Sequence, residues 1–319
     1  MDITFPERKR RALQDALARA AGADIIRSAT EGEGAVPEDA AVIDSSAAQG
    51  LDVVEAEMFY LTPLDAKPFL YVYPVGEDVQ QTNAAFEART VRIQDARPIA
   101  GQLSLDREGF ALVQSPTAVT DFRDEAQLNG VCAREAARIV ARATGASRVK
   151  VFDHTLRIRT DDPNNPGAPG ARTAVFRIHN DYTEGSAPQR VRDLMGDKAE
   201  DLLSRRFAFI NVWRPIKGPV VDAPLAVCDC RTIAPGDIVN EDLIYPDRKG
   251  EVQVVTYNPA HSWSYFPRMT VDEVMLIKCF DSRTDVARFT AHSAFVDPTT
   301  PPDAEPRESI EIRTVAFFD

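Results

Sequence analysis

The chain is poor in the residues that mark several classes of protein. Only four of its 319 residues are cysteine and only four are histidine, and no apolar run is long enough to span a bilayer. The cysteines are Cys132, Cys228, Cys230 and Cys279, and their spacing matches no zinc knuckle. We therefore expect four free thiols in a reducing compartment, by default the cytoplasm. The amino-terminal segment also lacks the apolar core of a secretory signal.

Positive charge is scarce as well. The 37 lysines and arginines are outnumbered by 49 aspartates and glutamates, which gives a net charge of −12. Binding to nucleic acids or to anionic membranes depends on clustered positive charge, so neither is expected as a partner. The sequence contains no phosphate-binding glycine motif and no serine nucleophile elbow. What remains is the composition of an ordinary globular protein.

The order of apolar and polar residues predicts a short helical region followed by many strands. Helical spacing predicts amphipathic helices over residues 7–21, 123–145 and 187–205, whereas 28–50 is expected to be a loose acidic segment and 160–172 a loop. Strand-like runs begin near Phe59, and after Gly145 about nine short runs alternate with turn residues. We predict an N-terminal segment over 1–55 and one domain over 56–319, with a β-sandwich or barrel core at about 146–319.

Two histidines and one aspartate form the first candidate site. His179 and Asp181 are two residues apart in a strand-like run, so their side chains would point to the same face. A histidine from a second strand would complete a two-histidine, one-carboxylate triad, which binds Fe(II) and leaves open positions. His292, on a late strand, is the preferred third ligand. His261 remains an alternative third ligand, a substrate-facing residue or part of a turn, and His154 is expected to be structural.

The last predicted strand carries a polar stripe. Arg307, Ser309, Glu311 and Arg313 alternate with apolar residues and therefore share one face. An arginine and a hydroxyl on an inward face suit a dicarboxylate co-substrate. Alternatively, these charges would be solvated on an edge strand.

In its order of motifs the sequence resembles an Fe(II)/2-oxoglutarate-dependent oxygenase. The matching stretches include RIHNDYTEGSAPQRVRDL, FINVWRPIKGPVVDAPLAVCD, ARFTAHSAFVDP and PRESIEIRTVAFFD, and the resemblance covers roughly residues 60–319. It is closest to a narrower family, that of the aspergillic-acid hydroxylase/desaturase, the gibberellin desaturase and the CmcJ-like component of cephamycin 7α-methoxylase. The resemblance implies a mainly β fold, a double-stranded β-helix (jelly-roll or cupin-like) core with an N-terminal α/β extension and flanking helices.

The same resemblance implies roles for individual residues. His179, Asp181 and His292 would be the iron ligands, and Arg307 with Ser309 would hold the distal carboxylate of 2-oxoglutarate. Arg307 follows His292 by 307 − 292 = 15 residues, which is longer than usual in such oxygenases. The other candidates for co-substrate binding are Arg313, Arg214 and Asn211.

The resemblance also implies the reaction class. The expected activity is hydroxylation or desaturation of a small-molecule metabolite in secondary metabolism, with Fe(II), 2-oxoglutarate and O₂. Residues that could line the substrate pocket, or equally form a core, are Tyr182, Trp213, Tyr257, His261 and Trp263. A homodimer is the base-rate expectation. Two alternatives stay open, a cupin-like metal enzyme that does not use 2-oxoglutarate and a non-catalytic accessory subunit.

Overall fold

The structure, a computed structural model, describes residues 51–76, 78–159 and 171–319. The helix expected at 7–21, the acidic segment at 28–50 and most of the loop at 160–172 lie outside these residues. The strands of the described part are β1 (Val53–Leu61), β2 (Phe69–Tyr71), β3 (Phe86–Asp95), β4 (Phe110–Gln114), β5 (Arg148–Ile158), β6 (His179–Asn180), β7 (Phe207–Pro215), β8 (Leu225–Cys228), β9 (Ile238–Ile244), β10 (Lys249–Val255), β11 (Trp263–Tyr265), β12 (Glu273–Asp281), β13 (His292–Ala294) and β14 (Glu308–Phe317).

These strands form two sheets that face each other. One sheet has the order β4-β12-β7-β14-β5, and the other has the order β1-β3-β11-β8-β13-β6-β10-β9-β2. From β5 to β8, and again from β11 to β14, each connection carries the chain from one sheet to the other. Apolar side chains of β7, β8 and β12 fill the space between the sheets. This is a jelly roll, so the predicted double-stranded β-helix is confirmed.

Alternation along β7 separates the inner layer from the outer layer. Phe207, Phe209 and Trp213 join the core between the two sheets. The intervening residues Ile210 and Val212 belong to a second core on the opposite face of the sheet. This outer core is completed by one apolar stripe of a helix, Ala136, Ile139 and Val140. A period of two residues along the strand thus decides which side chains can reach the interior.

The helices match the predicted regions but are interrupted. The region 123–145 contains α1 (Glu125–Gln127), a π-helical turn (Leu128–Cys132) and α2 (Ala133–Thr144), and it ends at Gly145 with φ 73°. The region 187–205 contains α3 (Ser186–Met195), a 3₁₀ turn (Gly196–Lys198) and α4 (Ala199–Leu203). Gly196 has φ 53° and ψ −129°, a backbone conformation that favours glycine, and it ends α3 and divides the predicted helix.

Two strand predictions differ from the structure. β9 was not among the predicted runs, because Asn240, Glu241 and Asp242 interrupt its apolar pattern. β9 and β10 form a hairpin that pairs with the outer edge of β6. The run around His179 is a strand at only two residues, because the chain leaves the sheet at Asp181. The four cysteines are free thiols, and no helix in the described ranges is long and apolar enough to cross a bilayer.

Candidate metal centre

Three of the sequence-predicted ligands converge between the two sheets. His179 on β6 and His292 on β13 are directly paired across neighbouring strands, with ring centroids 4.4 Å apart. Asp181 follows β6, and its Oδ1 lies 3.7 Å from Nε2 of His179. One donor atom from each of the three residues lies within 4.8 Å of the others. Two imidazoles and one carboxylate at this spacing can bind one Fe(II) ion on a single face.

Both histidines are oriented by the backbone. Nδ1 of His179 lies 2.9 Å from the carbonyl oxygen of Arg177, and Nδ1 of His292 lies 3.0 Å from that of Thr290. A carbonyl oxygen only accepts, so each Nδ1 carries the proton and each Nε2 is left as a lone-pair donor. Burial, followed by the neighbouring His292, lowers the pKa of His179 to about 3. The imidazole is therefore neutral at physiological pH, as metal binding requires.

The ligand carboxylate is held from the opposite sheet. Oδ2 of Asp181 accepts a hydrogen bond from Nδ2 of Asn211 at 2.8 Å and another from Nε of Arg313 at 3.1 Å. Oδ1 is left facing the histidines. Burial alone would raise the pKa of Asp181, but Arg313, the two histidines and the hydrogen bond from Asn211 together outweigh it and hold this pKa well below the usual range. The ligand is thus an oriented carboxylate whose second oxygen is already used.

Arg313 itself is fully engaged. Besides Asp181 it contacts Glu311 at 2.5 Å, Asp153 at 3.0 Å and the Thr155 hydroxyl at 3.1 Å. It was one of the sequence candidates for binding 2-oxoglutarate. In the structure its guanidinium is used to hold the side chains of the metal centre rather than being free for an added anion.

A cavity opens beside the triad. Its empty volume is about 340 Å³, part of which is open to solvent. The lining residues are Arg157, Val175, His179, Asn211, Trp213, Leu225, Ile277, His292, Arg307 and Glu311. The cavity therefore combines the two histidines with apolar walls and a cationic end.

The cationic end carries two polar atoms without protein partners. In the described part of the chain, Nε of Arg307 and Oγ of Ser309 are both buried and make no hydrogen bond. Arg307 is only 3% exposed, and its Nη1 donates to the carbonyl oxygen of Ala223 at 2.5 Å. Burial lowers the pKa of Arg307 to about 9, so the side chain remains cationic at pH 7. A buried cation and hydroxyl with unused hydrogen-bonding capacity suit a carboxylate ligand.

Arg214 and Asn211, both candidates from the same strand, point in opposite directions. Asn211 faces the cavity and Asp181, whereas Arg214, three residues later, lies on the outer face of β7. Arg214 donates to the carbonyl oxygens of Ser115 at 2.8 Å and Val271 at 2.6 Å. It therefore ties surface loops to the sheet and does not reach the cavity. The period of two residues along β7 already separates the two side chains.

Of the five aromatic or histidine candidates for substrate contact, only Trp213 lines the cavity. Tyr182 stacks on Phe209 in the inner core, with ring centroids 4.1 Å apart. Trp263 is fully buried on the other side of the nine-stranded sheet and donates from Nε1 to the Tyr60 hydroxyl at 2.7 Å. Tyr257 is 37% exposed at the edge of Tyr60.

The histidines outside the triad have other partners. Nε2 of His261 lies 3.0 Å from Oδ2 of Asp237, and its Nδ1 lies 3.3 Å from the Tyr60 hydroxyl. The structure thus does not bring His261, the alternative third ligand, to the other two ligands. His154 lies on β5 with Nε2 3.4 Å from Glu125, outside the cavity.

Two cavity residues were not assigned a role from the sequence. Glu311 was placed on the polar stripe of the last strand but given no function, and Arg157 was not singled out. Arg157 directly pairs with Ser309 across β5 and β14, and its side chain lies between Leu156 and Ile158 in sequence. The sequence did contain a signal, since Arg157 alternates with apolar residues along β5 and therefore lies on one face of the strand, opposite to that of Leu156 and Ile158.

Comparison with known proteins gives consistent matches. A family model described as an oxidoreductase/YMDC permease-like domain matches residues 58–317. The Fe(II)/2-oxoglutarate-dependent dioxygenase nvfI of Aspergillus novofumigatus is 36% identical, over 82% of this chain and 96% of that protein. The hydroxylase/desaturase CTB9 of Cercospora beticola is 35% identical, over 76% of this chain and 81% of that protein.

A solved structure matches as well. The iron and α-ketoglutarate-dependent endoperoxidase NvfI superimposes with a TM-score of 0.77 at 32% identity, covering 83% of this chain and 98% of that one. The similarity extends over the jelly roll and not only over the residues of the metal centre.

Proposed function

Because the chain belongs to the family of Fe(II)/2-oxoglutarate-dependent dioxygenases and hydroxylase/desaturases, we propose that His179, Asp181 and His292 are its iron ligands. The observation that carries this proposal is the convergence of their three donor atoms within 4.8 Å. Both imidazoles present Nε2 because backbone carbonyls hold Nδ1. The donor set fits Fe(II), since two neutral nitrogens and one carboxylate are the ligands of a facial triad.

The protein is an oxidoreductase that uses Fe(II), 2-oxoglutarate and O₂. Its relatives are hydroxylases, desaturases and dioxygenases of fungal secondary metabolism, and it acts on a small molecule. The alternative of a cupin-like enzyme that does not use 2-oxoglutarate is disfavoured by these relatives and by the buried Nε of Arg307 and Oγ of Ser309, which have no protein partner. The alternative of a non-catalytic accessory subunit is disfavoured by a complete set of metal ligands.

For the co-substrate we propose that Arg307 and Ser309 bind the distal carboxylate of 2-oxoglutarate. Nε of Arg307 and Oγ of Ser309 are buried and have no protein partner, so a carboxylate would satisfy both. Arg313 and Arg214 are already occupied elsewhere. When iron and 2-oxoglutarate are bound, they supply oxidative decarboxylation and the removal of hydrogen from a substrate C–H bond.

Other residues of the site orient the carboxylate of Asp181 and shield the cavity from water. Asn211 and Arg313 fix Oδ2 of Asp181, which directs Oδ1 towards the metal position. Trp213, Leu225 and Ile277 form an apolar wall that limits the access of water to the reacting centre. We propose that the substrate approaches along this wall. Hydroxylation and desaturation require the same ligands, so the substrate's position relative to the metal would decide between them.

The test is an anaerobic titration of Fe(II) and 2-oxoglutarate, followed by the weak visible charge-transfer absorption of the chelate. The wild type should show the band, and His179→Ala and His292→Ala should lose it. His261→Ala is the matched control and should retain it. A band that survives in His292→Ala but disappears in His261→Ala would move the third ligand to His261. If iron binds but no band appears, the result would favour the cupin-like enzyme that does not use 2-oxoglutarate.

Three broader proposals accompany this one. The predicted boundary between 1–55 and 56–319 falls within β1, whose first residue, Val53, already pairs with β3. We therefore propose one oxygenase domain that begins at β1 and continues through the predicted residues 56–319, which is supported by a family match that begins at residue 58. We also propose a cytoplasmic location, supported by a composition with few cysteines, and a homodimer, supported only by base rates. Sedimentation of the purified chain tests the dimer, and cell fractionation tests the location. A chain starting at residue 51, which keeps all of β1, tests the domain boundary.

A further inference from the structure

Charges of alternating sign connect the two ends of the cavity. Starting from the metal end, Asp181 contacts Nε of Arg313 at 3.1 Å, and Arg313 contacts Oε1 of Glu311 at 2.5 Å. Oε2 of Glu311 then accepts from Nε of Arg157 at 3.0 Å. Arg157 lines the cavity beside Arg307. Glu311 therefore contacts both an arginine beside the proposed metal ligand and an arginine at the cationic end.

This chain of ion pairs is shielded from water. Glu311 is 6% exposed and Arg157 is 9% exposed. Burial would raise the pKa of Glu311, but Arg313 and Arg157 lower it below its usual value, so the side chain is anionic. Because charges in a buried site are weakly screened, the single negative charge of Glu311 acts on both ends of the cavity.

Asn211 adds a second link from Glu311 to the metal ligand. Nδ2 of Asn211 lies 2.8 Å from Oδ2 of Asp181 and 3.1 Å from Oε1 of Glu311. The carboxylate of Glu311 therefore shares both of its contacts at this end, Arg313 and Asn211, with the ligand carboxylate. Loss of its charge would leave Arg313 and Asn211 to act on Asp181 alone.

Resting on the proposed function, we propose that Glu311 is a positioning residue that divides the arginine charge of the cavity between the metal end and the co-substrate end. At the metal end it offsets the pull of Arg313 on Asp181, which keeps that carboxylate a strong metal donor. At the co-substrate end it occupies Arg157, which limits the binding of a dicarboxylate. In this role Glu311 touches neither iron nor 2-oxoglutarate and acts through Arg313, Asn211 and Arg157.

Replacing Glu311 should therefore weaken metal binding at one end of the cavity and strengthen dicarboxylate binding at the other. In Glu311→Gln, which keeps the side chain's shape, Arg313 is held by one carboxylate fewer and the site becomes more positive. We expect divalent metal to bind at least tenfold more weakly, which is the usual size for the loss of an outer partner of a metal ligand. Arg157 is freed at the same time, so we expect succinate to bind severalfold more tightly. A substitution that merely disordered the cavity would weaken the binding of both the metal and succinate.

The measurements use the full chain without turnover. Mn(II) binding is followed by the EPR signal of free Mn(II), and succinate binding to the metal-free protein is followed by ligand-observed NMR into the millimolar range. Succinate carries two carboxylates but no keto acid to chelate a metal, so it probes the cationic end by itself. Glu273→Gln is the matched control, because Glu273 is equally buried and paired with Arg97 but lies outside the cavity.

Arg157→Gln is the second variant, and its effect on succinate binding should be opposite to that of Glu311→Gln. Removal of this cation should weaken succinate binding severalfold and leave Mn(II) binding unchanged or tighter. The inference is overturned if Glu311→Gln weakens the binding of Mn(II) and of succinate equally, or if its affinities for both do not differ from those of Glu273→Gln. If the wild type binds Mn(II) through His179 and His292 while these variants behave alike, the proposed function stands and only the role of Glu311 fails. A wild type that binds no divalent metal would instead count against the proposed function itself.

Discussion

In the described part of the chain, two histidines, both largely shielded from solvent, lie close to an aspartate, and we propose only one of these pairs as part of a metal centre. Nε2 of His179 lies 3.7 Å from Asp181, and Nε2 of His261 lies 3.0 Å from Asp237. The second pair is closer, yet it is the less suited to bind metal. The comparison shows that proximity of an imidazole and a carboxylate does not by itself mark a metal site.

What separates the two pairs is how their hydrogen-bonding capacity is used. His261 has a side-chain partner at both nitrogens, Asp237 at Nε2 and the Tyr60 hydroxyl at Nδ1. Its cluster is closed further by Trp263, which also donates to Tyr60. At the other pair, Nδ1 of His179 is held by a backbone carbonyl, and Nε2 faces a second imidazole across an open cavity. A site is recognised by lone pairs that converge and have no partner.

The largest effect is expected when the histidines of the proposed metal centre are replaced. His179→Ala and His292→Ala should lower the rate of succinate formation from 2-oxoglutarate by more than about 100-fold, because each removes a proposed metal ligand and not merely an outer partner. His261→Ala should retain activity and lose thermal stability. Coupled measurement of succinate formation and of Tm checks both results. An inactive, well-folded His261→Ala would reverse the assignment of the two pairs.

A second prediction compares two buried arginines, Arg307 beside the cavity and Arg214 on the outer face of β7. Arg307→Met should raise the KM for 2-oxoglutarate roughly 10- to 100-fold, since a charge-assisted hydrogen bond contributes about 1.5–3 kcal/mol. Arg214→Met should lower Tm and leave that KM unchanged, because Arg214 bonds to loop carbonyls on the outer face. Steady-state kinetics with matched thermal melts distinguishes them. Equal KM values for Arg307→Met and wild type would contradict the placement of the co-substrate.

A third prediction compares the two tryptophans. Trp213→Phe removes part of the cavity wall and weakens the contact with Arg307, which lies 5.7 Å above the indole ring. It should raise the KM for 2-oxoglutarate by a few-fold, consistent with a cation–π contribution of about 0.5–1 kcal/mol. Trp263→Phe should leave kinetics unchanged and destabilise by about 1 kcal/mol through loss of its bond to Tyr60. Altered kinetics in Trp263→Phe alone would speak against this separation.

The smallest expected effect concerns acid stability. Burial lowers the pKa of His261 below its ordinary value of 6.5, although Asp237 raises it in part. The unfolded chain therefore takes up this proton first, so the stability that depends on neutral His261 is present above pH 6.5 and is lost as the pH falls below it. His261→Gln should reduce the slope of unfolding free energy against pH by less than about 1.4 kcal/mol per unit. Urea titrations between pH 5 and 7.5 measure it (a window of about one unit around the ordinary pKa), and an unchanged slope would argue that the side chain does not titrate differently on folding.

The sequence was informative where a strand exposes one face to the interior. The spacing of His179 and Asp181, and the stripe from Arg307 to Arg313, depend only on a period of two residues, and the structure places each group on one face. The same period distinguishes Asn211 from Arg214, so that distinction was available. The many short runs with turn residues between them predicted a sandwich or barrel, and the family resemblance narrowed this to a double-stranded β-helix.

The sequence was less informative about which face of a sheet a residue occupies when both faces are buried. Trp263 pairs with Cys228, whereas His292 pairs with the preceding residue, Val227. Adjacent residues of β8 point to opposite faces, so Trp263 lies behind the sheet that carries His292. Strand pairing of this kind is a property of the assembled sheet. The partners of Arg313 and the role of Glu311 depend on it in the same way.

The crossing of the chain between two sheets also sets when the metal centre can exist. His179 and His292 are 292 − 179 = 113 residues apart in sequence but adjacent across β6 and β13. A ribosome that has made the first two ligands must still produce most of the barrel before the third is available, and long-range pairings of this kind form late. A nascent or truncated chain that stops before β13 therefore retains at most two ligands. Binding of metal through all three proposed ligands therefore requires that the chain has been made at least as far as β13.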